Sequence, residues 1–368
     1  MATVRARHLG IRFDGEPGHH NAITDVGGIE VGHVTVVEDR MIEGTVSALR
    51  TGVTVIHPQG RKGVGGVAAG RAVLNGTGEW SGMHLVDEIG QFFGPIALTG
   101  TANFGVVHAA VADWGRSNSG LPEDERFMRL LPVVAETLDF QLNDIFGEPI
   151  SRSDVIHALE ESRMGPVDEG NVGGGTGMVA YEFKGGIGTA SRIVTASIGA
   201  FTVGVLLQAN HARRGDLRIN GVPVGRIITD LMPRTAGDLD APSMDSRKSS
   251  LIIVIATDAP LAPHQLCRMA RRAALGIGRN GSTGNNLSGE MALAFSTANV
   301  STHDGAASRP TISDLDSDTM NALFAGAVQC VEEALVNQLV ACKTMHGTNG
   351  ATVFALPHDR LLEALKTC

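Results

Sequence analysis

The chain has 368 residues, of which 43% are hydrophobic and 19% charged, and this composition excludes a disordered protein. Its 30 basic and 39 acidic residues give a net charge of −9, opposite in sign to the charge of a general nucleic-acid-binding protein. Glycine is abundant, at 47 residues, which indicates many tight turns and close backbone contacts. No linker separates two apolar cores, so we predict one domain over residues 1–368.

The first 20 residues lack the apolar segment of a secretory signal, which favours a cytoplasmic protein. Residues 89–112 and 193–212 are uncharged, but their glycine and polar content indicates short buried elements rather than membrane spans. The histidines are scattered without metal-site spacing, so no metal or other cofactor is expected. The cysteines form no C-x-x-C pair and are expected to be reduced: Cys267, Cys330, Cys342 and Cys368.

In the first half of the chain, apolar runs alternate with helical patterns. Residues 67–74 are interpreted as a short helix after a glycine-rich turn, and Gly63 to Ala68 fits the dinucleotide pattern G-x-G-x-x-A. The helix is short and no strand ending in an acid follows, so nucleotide binding is kept only as an alternative. The other predicted elements are a strand at 52–56 and helices at 104–114 and 151–163.

The middle of the chain contains a second glycine run, residues 170–177, which precedes a strand and therefore lacks the helix N-terminus that would hold a phosphate. We interpret it as a tight turn between close backbones, or as the wall of a pocket. Strands are predicted at 178–183, 193–198 and 202–207. Residues 234–249 are polar and rich in Gly, Pro and Ser, which predicts an exposed loop.

A strand that is apolar on both faces follows this loop at once, beginning with Ser250, and such a strand is covered on both sides. A helix from Pro263, a polar turn at 280–290, a strand at 291–297 and a long helix at 318–342 come next, before a strand at 353–356 and a final helix. The elements do not follow a regular βαβ period. The pattern favours a layered α+β sandwich over a doubly wound sheet.

The junction of Ser249 and Ser250 suggests a nucleophile, because cleavage before Ser250 would place a hydroxyl and a new α-amine on one residue. An α-amine has a pKa near 8, so it can act as the base for its own hydroxyl. A serine that merely begins a strand is the more ordinary interpretation of the junction alone. No serine has glycine at both −2 and +2, which argues against an α/β-hydrolase.

Ser288 and Glu290 lie at the end of the polar turn and share one side if the strand has begun, because side chains on a strand repeat every two residues. A hydroxyl and a carboxylate beside the nucleophile could relay a proton or orient the amine. The alternative is ordinary turn chemistry of Asn, Ser and Gly.

Long motifs resemble the L-aminopeptidase D-Ala-esterase/amidase family, which includes the β-peptidyl aminopeptidases. The similarity spans most of the chain: NAITDVGGIEVGH at 21–33, GNVGGGTGMVAYEFKGGIGTASR at 170–192, QANHARRGDLRINGVPVG at 208–225, the run from Ser250 through SGEMALAFSTAN, and ALPHDRL at 355–361. The resemblance implies a four-layer αββα sandwich of the type shared by self-processing aminopeptidases and ornithine acetyltransferases. It also implies processing into a 1–249 α chain and a 250–368 β chain, and a homotetramer of αβ units.

Residue by residue, the resemblance implies that Ser250 is the nucleophile, assisted by Ser288 and Glu290. Asn210 matches the residue that stabilises the oxyanion, a task suited to a neutral amide donor. Glu136 matches the acid that binds the free amino group of a peptide, amide or ester substrate, as a carboxylate pairs with an ammonium. The implied activity is hydrolysis of the bond after an N-terminal residue, without nucleic-acid or membrane partners.

Two positions depart from the family pattern. Leu138 stands where the family has a tyrosine, and Ser249 stands where the residue before the nucleophile is Gly or Asn. These departures leave two alternatives beside aminopeptidase activity. One is hydrolysis of other amides, such as ω-amino-acid oligomers, and the other is an unprocessed, non-catalytic binding protein.

Overall fold

The computed structural model describes residues 4–42, 45–63, 65–118, 131–196, 198–234, 249–301 and 315–366. The strands within these ranges are β1 Glu30–Ile42, β2 Thr45–His57, β3 Gly66–Val73, β4 Gln91–Phe93, β5 Ile96–Gly100, β6 Val133–Thr137, β7 Val179–Ala180, β8 Phe183–Lys184, β9 Ile187–Ala196, β10 Gly199–Asn210, β11 Ser250–Thr257, β12 Gly289–Ser301, β13 Met345–His346 and β14 Thr352–Val353. The α-helices are α1 Met83–Ile89, α2 Phe104–Asn118, α3 Arg152–Glu160, α4 Val224–Ile227, α5 Pro263–Arg271, α6 Ala273–Arg279, α7 Ser317–Ala341 and α8 His358–Lys366.

Two sheets form the centre of the fold. The smaller has the strand order β1-β2-β5-β6 and the larger has the order β4-β3-β12-β11-β10-β9. Within the larger sheet, β11 runs parallel to β12 and antiparallel to β10. All eight residues of β11 are buried, as its apolar sequence predicts.

The two sheets pack face to face, and helices cover both outer faces. Ile252 and Leu293 of the larger sheet and Leu98 and Val133 of the smaller sheet belong to the core between the sheets. Helices α5, α6 and α7 pack on the other side of the larger sheet, and α2 and α3 cover the smaller sheet. The layers are therefore αββα, which confirms the predicted α+β sandwich.

The helix predicted at residues 67–74 is wrong, because this segment is strand β3. Its alanines favour a helix in isolation, but β3 lies between β4 and β12 and satisfies its backbone hydrogen bonds in the sheet. Gly70 also lets α5 approach closely, since a Cβ there would lie 2.3 Å from the backbone nitrogen of Cys267. The G-x-G-x-x-A pattern thus leads into a strand and lacks the helix that a dinucleotide site needs.

The single strand predicted at 178–183 is instead the hairpin β7–β8. Tyr181 and Glu182 form its two-residue turn with φ of 52° and 57°, the left-handed conformation that a type I′ turn requires. The Arg214 guanidinium donates to the carbonyls of both turn residues and so holds this strained backbone.

Most of the remaining helices and strands occur close to their predicted positions, but the strand predicted at 353–356 is reduced to β14, Thr352–Val353. Ser151 caps α3 by accepting from the Asp154 N–H, and the long predicted helix is α7. Of the predicted loop at 234–249, residues 235–248 lie outside the part of the chain that the structure describes. None of the described helices is long and apolar enough to cross a membrane. Cys267, Cys330 and Cys342 are free thiols.

Candidate active site

Ser250 is the first residue of the inner strand β11, and it lies beside the point where the polar turn ends and β12 begins. In the sheet register it is paired with Asn210 of β10 on one side and with Gly289 of β12 on the other. Ser250 is buried, with 4% of its surface exposed, and so is Ser249. The Gly289 N–H donates to the Ser249 carbonyl at 3.0 Å, so the peptide bond between the two serines is held within the sheet.

Ser288 and Glu290 flank Gly289 and form one hydrogen-bonded unit. The Ser288 hydroxyl lies 2.5 Å from each oxygen of the Glu290 carboxylate. Asn75 completes the unit, because its Nδ2 donates to Ser288 Oγ at 3.2 Å and to Glu290 Oε2 at 2.9 Å. Burial raises the pKa of Glu290, and the hydrogen bonds from Ser288 and Asn75 oppose this shift.

The side chains of Ser250 and Glu290 point to opposite faces of the larger sheet. Glu290 shares its face with Ala292 and Ile253, on the side covered by α5 and α6. Ser250 alternates with Leu251 and therefore shares the face of Ile252, which packs between the two sheets. The Ser288–Glu290 unit thus lies level with Ser250 but on the other face from its hydroxyl.

The amide group of Asn210 has a fixed orientation. Its Oδ1 accepts from the Val179 N–H at 2.9 Å, and its Nδ2 donates to the Leu138 carbonyl at 2.9 Å. The backbone N–H must face the amide oxygen, so the nitrogen is the atom directed at Leu138. Asn210 is 2% exposed and lies beside Ser250, where it can donate to a developing oxyanion.

Glu136 lies at the end of β6, in the smaller sheet, and its carboxylate is buried. Its Oε1 accepts from the Glu79 N–H at 2.9 Å, and its Oε2 accepts from the Thr101 hydroxyl. The segment from Thr77 to Glu79 lies between this carboxylate and the strand pair that holds Ser250. Gly78 is close to Glu136, since a Cβ added to Gly78 would lie 3.2 Å from Glu136 Oε1. Thr77 is close to Gly289, the partner of Ser250, since a Cβ added to Gly289 would lie 2.2 Å from the Thr77 carbonyl oxygen.

Leu138, which departs from the family pattern, is half-buried and contacts Asn210 through its backbone carbonyl. This contact does not depend on the side chain and is therefore available to leucine as well as to tyrosine. The next residue, Asp139, is buried, and burial raises its pKa to about 6.

The sequence alone did not indicate several groups of this site: Asn75, the Glu79 N–H, Thr101 and the Val179 N–H. Asn75 lies in an Asn-Gly-Thr-Gly segment, where ordinary turn chemistry accounts for an asparagine. The two backbone donors carry no side-chain signal. No group of His, Cys, Asp or Glu among the described residues could hold a metal ion.

Comparisons with known proteins add to this geometry. The model of the family described as peptidase family S58 matches residues 21–353. Beta-peptidyl aminopeptidase BapA of Sphingosinicella xenopeptidilytica is 59% identical over 372 residues, covering 100% of this chain and 92% of the relative.

Two solved structures are similar over nearly the whole chain. L-aminopeptidase D-Ala-esterase/amidase from Ochrobactrum anthropi superposes with a TM-score of 0.90 and 43% identity, covering 99% of this chain and 98% of that chain. That structure is described as a prototype for the serine aminopeptidases and a new variant among the Ntn hydrolase fold. A Burkholderia sp. beta-aminopeptidase has a TM-score of 0.86 and 42% identity, with 99% of both chains covered.

Proposed function

Because this chain belongs to peptidase family S58, we propose that it is a self-processing serine aminopeptidase whose nucleophile is Ser250. The chain is a hydrolase of peptide bonds with the Ntn hydrolase fold, and its homologues support aminopeptidase or amidase activity. The observation that carries the proposal is the sheet register, which places Ser250 between Asn210 and Gly289 beside the Ser288–Glu290 pair.

Self-cleavage would begin with attack of the Ser250 hydroxyl on the Ser249 carbonyl carbon. The C–N bond breaks, the acyl group moves to Oγ as an ester, and the Ser250 nitrogen becomes a free amine. Water then hydrolyses the ester and leaves the Ser249 carboxylate. The hydrogen bond from the Gly289 N–H to the Ser249 carbonyl supports this step, because it polarises the carbonyl under attack.

In turnover, the same hydroxyl would attack the substrate carbonyl while the α-amine of Ser250 takes the proton. Asn210 Nδ2 stabilises the oxyanion, the amine returns the proton to the leaving group, and water hydrolyses the acyl-enzyme. The Ser288–Glu290 pair lies on the opposite face from the hydroxyl. We therefore assign to it the orientation of the amine, which lies in the plane of the sheet, rather than a proton relay from Oγ.

Glu136 would bind the free amino group of the substrate. It is a buried carboxylate on the smaller sheet, and the segment from Thr77 to Glu79 links it to the nucleophile. A carboxylate within this enclosed region selects an ammonium group and disfavours an N-acylated end.

The similarity to enzymes named beta-peptidyl aminopeptidase and beta-aminopeptidase favours substrates with an N-terminal β-amino acid. Hydrolysis of such substrates, like that of the ω-amino-acid oligomers in the alternative, would use the same nucleophile. Comparing β-alanyl and L-alanyl amides of one chromogenic amine would distinguish the two preferences. A homotetramer of αβ units remains a prediction from the resemblance, to be checked by native mass spectrometry, and a cytoplasmic location remains a prediction from the sequence.

The proposal is tested with Ser250→Ala and Ser249→Ala, both purified as full-length chains. Ser250→Ala is expected to remain uncleaved and to lose turnover, because no other group supplies both the hydroxyl and the amine. Ser249→Ala keeps the backbone carbonyl and should be cleaved and active. Undiminished hydrolysis by Ser250→Ala would contradict the mechanism, whereas a wild-type chain that is neither cleaved nor active would favour the binding-protein alternative.

A further inference from the structure

Lys184 is a completely buried cation on β8, close to the candidate active site. Its Nζ donates to the carbonyls of Met178 at 2.8 Å, Gly185 at 2.5 Å and Gly175 at 3.3 Å. The three hydrogens of an ammonium group are thus matched by three backbone acceptors. Burial lowers the pKa of Lys184 to about 8, so the fold bears an energetic cost for keeping a charge here.

One of the three carbonyls, that of Gly175, belongs to the glycine run at 170–177, and another, that of Met178, directly follows this run. This run passes through a space too narrow for side chains: a Cβ at Gly174 would lie 2.0 Å from Gln208 Oε1, and one at Gly175 would lie 2.4 Å from the Ile187 nitrogen. Glycines cannot anchor the turn with side chains of their own. Lys184, as the cross-strand partner of Val179, supplies that anchor from the neighbouring strand.

The anchored turn ends at the residue that orients Asn210. Val179 follows Met178 directly, and its N–H donates to Asn210 Oδ1 at 2.9 Å. The two ends of an asparagine amide have nearly the same shape, and only their hydrogen-bond partners distinguish them. If the turn moved, the amide oxygen would lose its donor, and only the Leu138 carbonyl would still favour the orientation that presents Nδ2.

We propose that Lys184 is a positioning residue for hydrolysis, which fixes the turn from Gly175 to Val179 and thereby holds Asn210 Nδ2 in the oxyanion-binding orientation. The inference rests on the proposed role of Asn210. It also gives the glycine run a function, since these residues allow the turn to reach between the strands.

A double-mutant cycle tests the inference on the purified, processed enzyme. Lys184→Met removes the donors at nearly constant volume and should lower kcat by about tenfold or more, with KM within about twofold, because the oxyanion contact forms mainly in the transition state. In an Asn210→Ala background, the same substitution should lower kcat by less than about twofold. Equal losses in both backgrounds would contradict the inference.

Arg192→Met is the matched control. The Arg192 side chain is only 1% exposed and pairs with Glu333 at 2.7 Å. It lies opposite Val203, seven residues before Asn210 on β10, or about 23 Å away. This control should lower Tm without lowering the kcat of the folded enzyme. A comparable loss of kcat in Arg192→Met would show that the Lys184 effect comes from general destabilisation of the fold, and this would contradict the inference.

If Lys184→Met does not fold, Lys184→Gln replaces it in the cycle. The shorter glutamine amide can donate to only some of the three carbonyls that Lys184 binds. Lys184→Gln should therefore lower kcat by about threefold or more when Asn210 is present, and should leave kcat unchanged in the Asn210→Ala background. An unchanged kcat for Lys184→Gln would contradict the inference. The Asn210→Ala parent tests the underlying assignment separately: if it hydrolyses substrate at the normal rate, the proposed role of Asn210 is wrong.

Discussion

Asn210 and Ser250 are direct partners in the antiparallel ladder between β10 and β11. The last residue of β10 is therefore adjacent to the first residue of β11, and both residues are buried. The pairing places the amide of Asn210 beside the hydroxyl of Ser250 through the sheet itself, so the position of neither residue depends on a loop. Sheet pairing, which is rigid, thus determines the distance between the proposed nucleophile and its proposed oxyanion donor.

Replacing Asn210 should therefore affect the chemical step rather than substrate binding. We expect Asn210→Ala to lower kcat by about a hundredfold or more with little change in KM, as for the loss of one oxyanion donor. Steady-state kinetics with a chromogenic amide measures both constants. Asn337→Ala is a control, because Asn337 is a buried amide that bonds to Ala6 and Thr189 and should affect stability alone. A rise in KM at constant kcat would contradict the assignment.

The Ser288–Glu290 pair should affect processing and turnover together, since both use the nitrogen of Ser250. Glu290→Gln and Ser288→Ala are each expected to lower kcat/KM by about a hundredfold, within the range for loss of acid–base assistance. Because burial raises the pKa of Glu290, its carboxylate forms at a higher pH than in an ordinary glutamate. Wild-type activity should therefore rise with pH through that ionisation, and Glu290→Gln should lack this limb. An identical pH profile in the variant would remove the role of Glu290.

Glu136 should determine the requirement for a free amino group. Glu136→Gln is expected to raise KM for amine-bearing amides by about tenfold or more, because a charged hydrogen bond contributes about 1.5–3 kcal/mol. The same substitution should lower the ratio of kcat/KM for the free-amine substrate to kcat/KM for its N-acetylated form. Glu79→Gln provides a control, because Glu79 contacts Glu136 through its backbone N–H, which the substitution retains. Equal KM values in Glu136→Gln and wild type would exclude this role.

Asp139 should make folding stability fall with pH. Burial raises its pKa from 3.8 to about 6, so the folded state holds a proton that the unfolded state has already lost. The stability that this proton provides is present below pH 3.8 and is lost as the pH rises through 6, an effect of about 3 kcal/mol.

Asp139→Asn should remove that loss, so its stability relative to the parent should increase between pH 4 and 7. Urea unfolding at several pH values measures this difference in stability. Both proteins carry Ser250→Ala, so that each is expected to remain a single uncleaved chain. A constant difference across this pH range would show that Asp139 titrates normally.

The sequence predicts the elements whose burial leaves a local pattern. The uncharged run after Ser250 predicts a strand covered on both faces, and the stripe on residues 318–342 predicts a long helix; both are confirmed. Residues 67–74 are wrongly predicted because alanine propensity is local, whereas pairing with β4 and β12 is not. The turn at Tyr181 is missed because its positive φ depends on distant contacts, such as that from Arg214.

The candidate site shows the same limit. The family resemblance indicates which side chains to examine, but it does not show that Ser288 and Glu290 lie on the opposite face from the Ser250 hydroxyl. That arrangement follows from the parallel register of β11 and β12. Lys184 is a charged residue in an apolar segment, which is a signal in itself, yet its contact with Gly175 of the glycine run appears only in the folded chain.

Intact mass spectrometry of the denatured wild-type protein tests the central claim most directly. We expect two chains whose masses sum to the precursor plus one water, with the smaller chain beginning at Ser250. A single uncleaved chain after prolonged incubation, or a smaller chain that begins at another residue, would contradict the assignment of Ser250 as the N-terminal nucleophile.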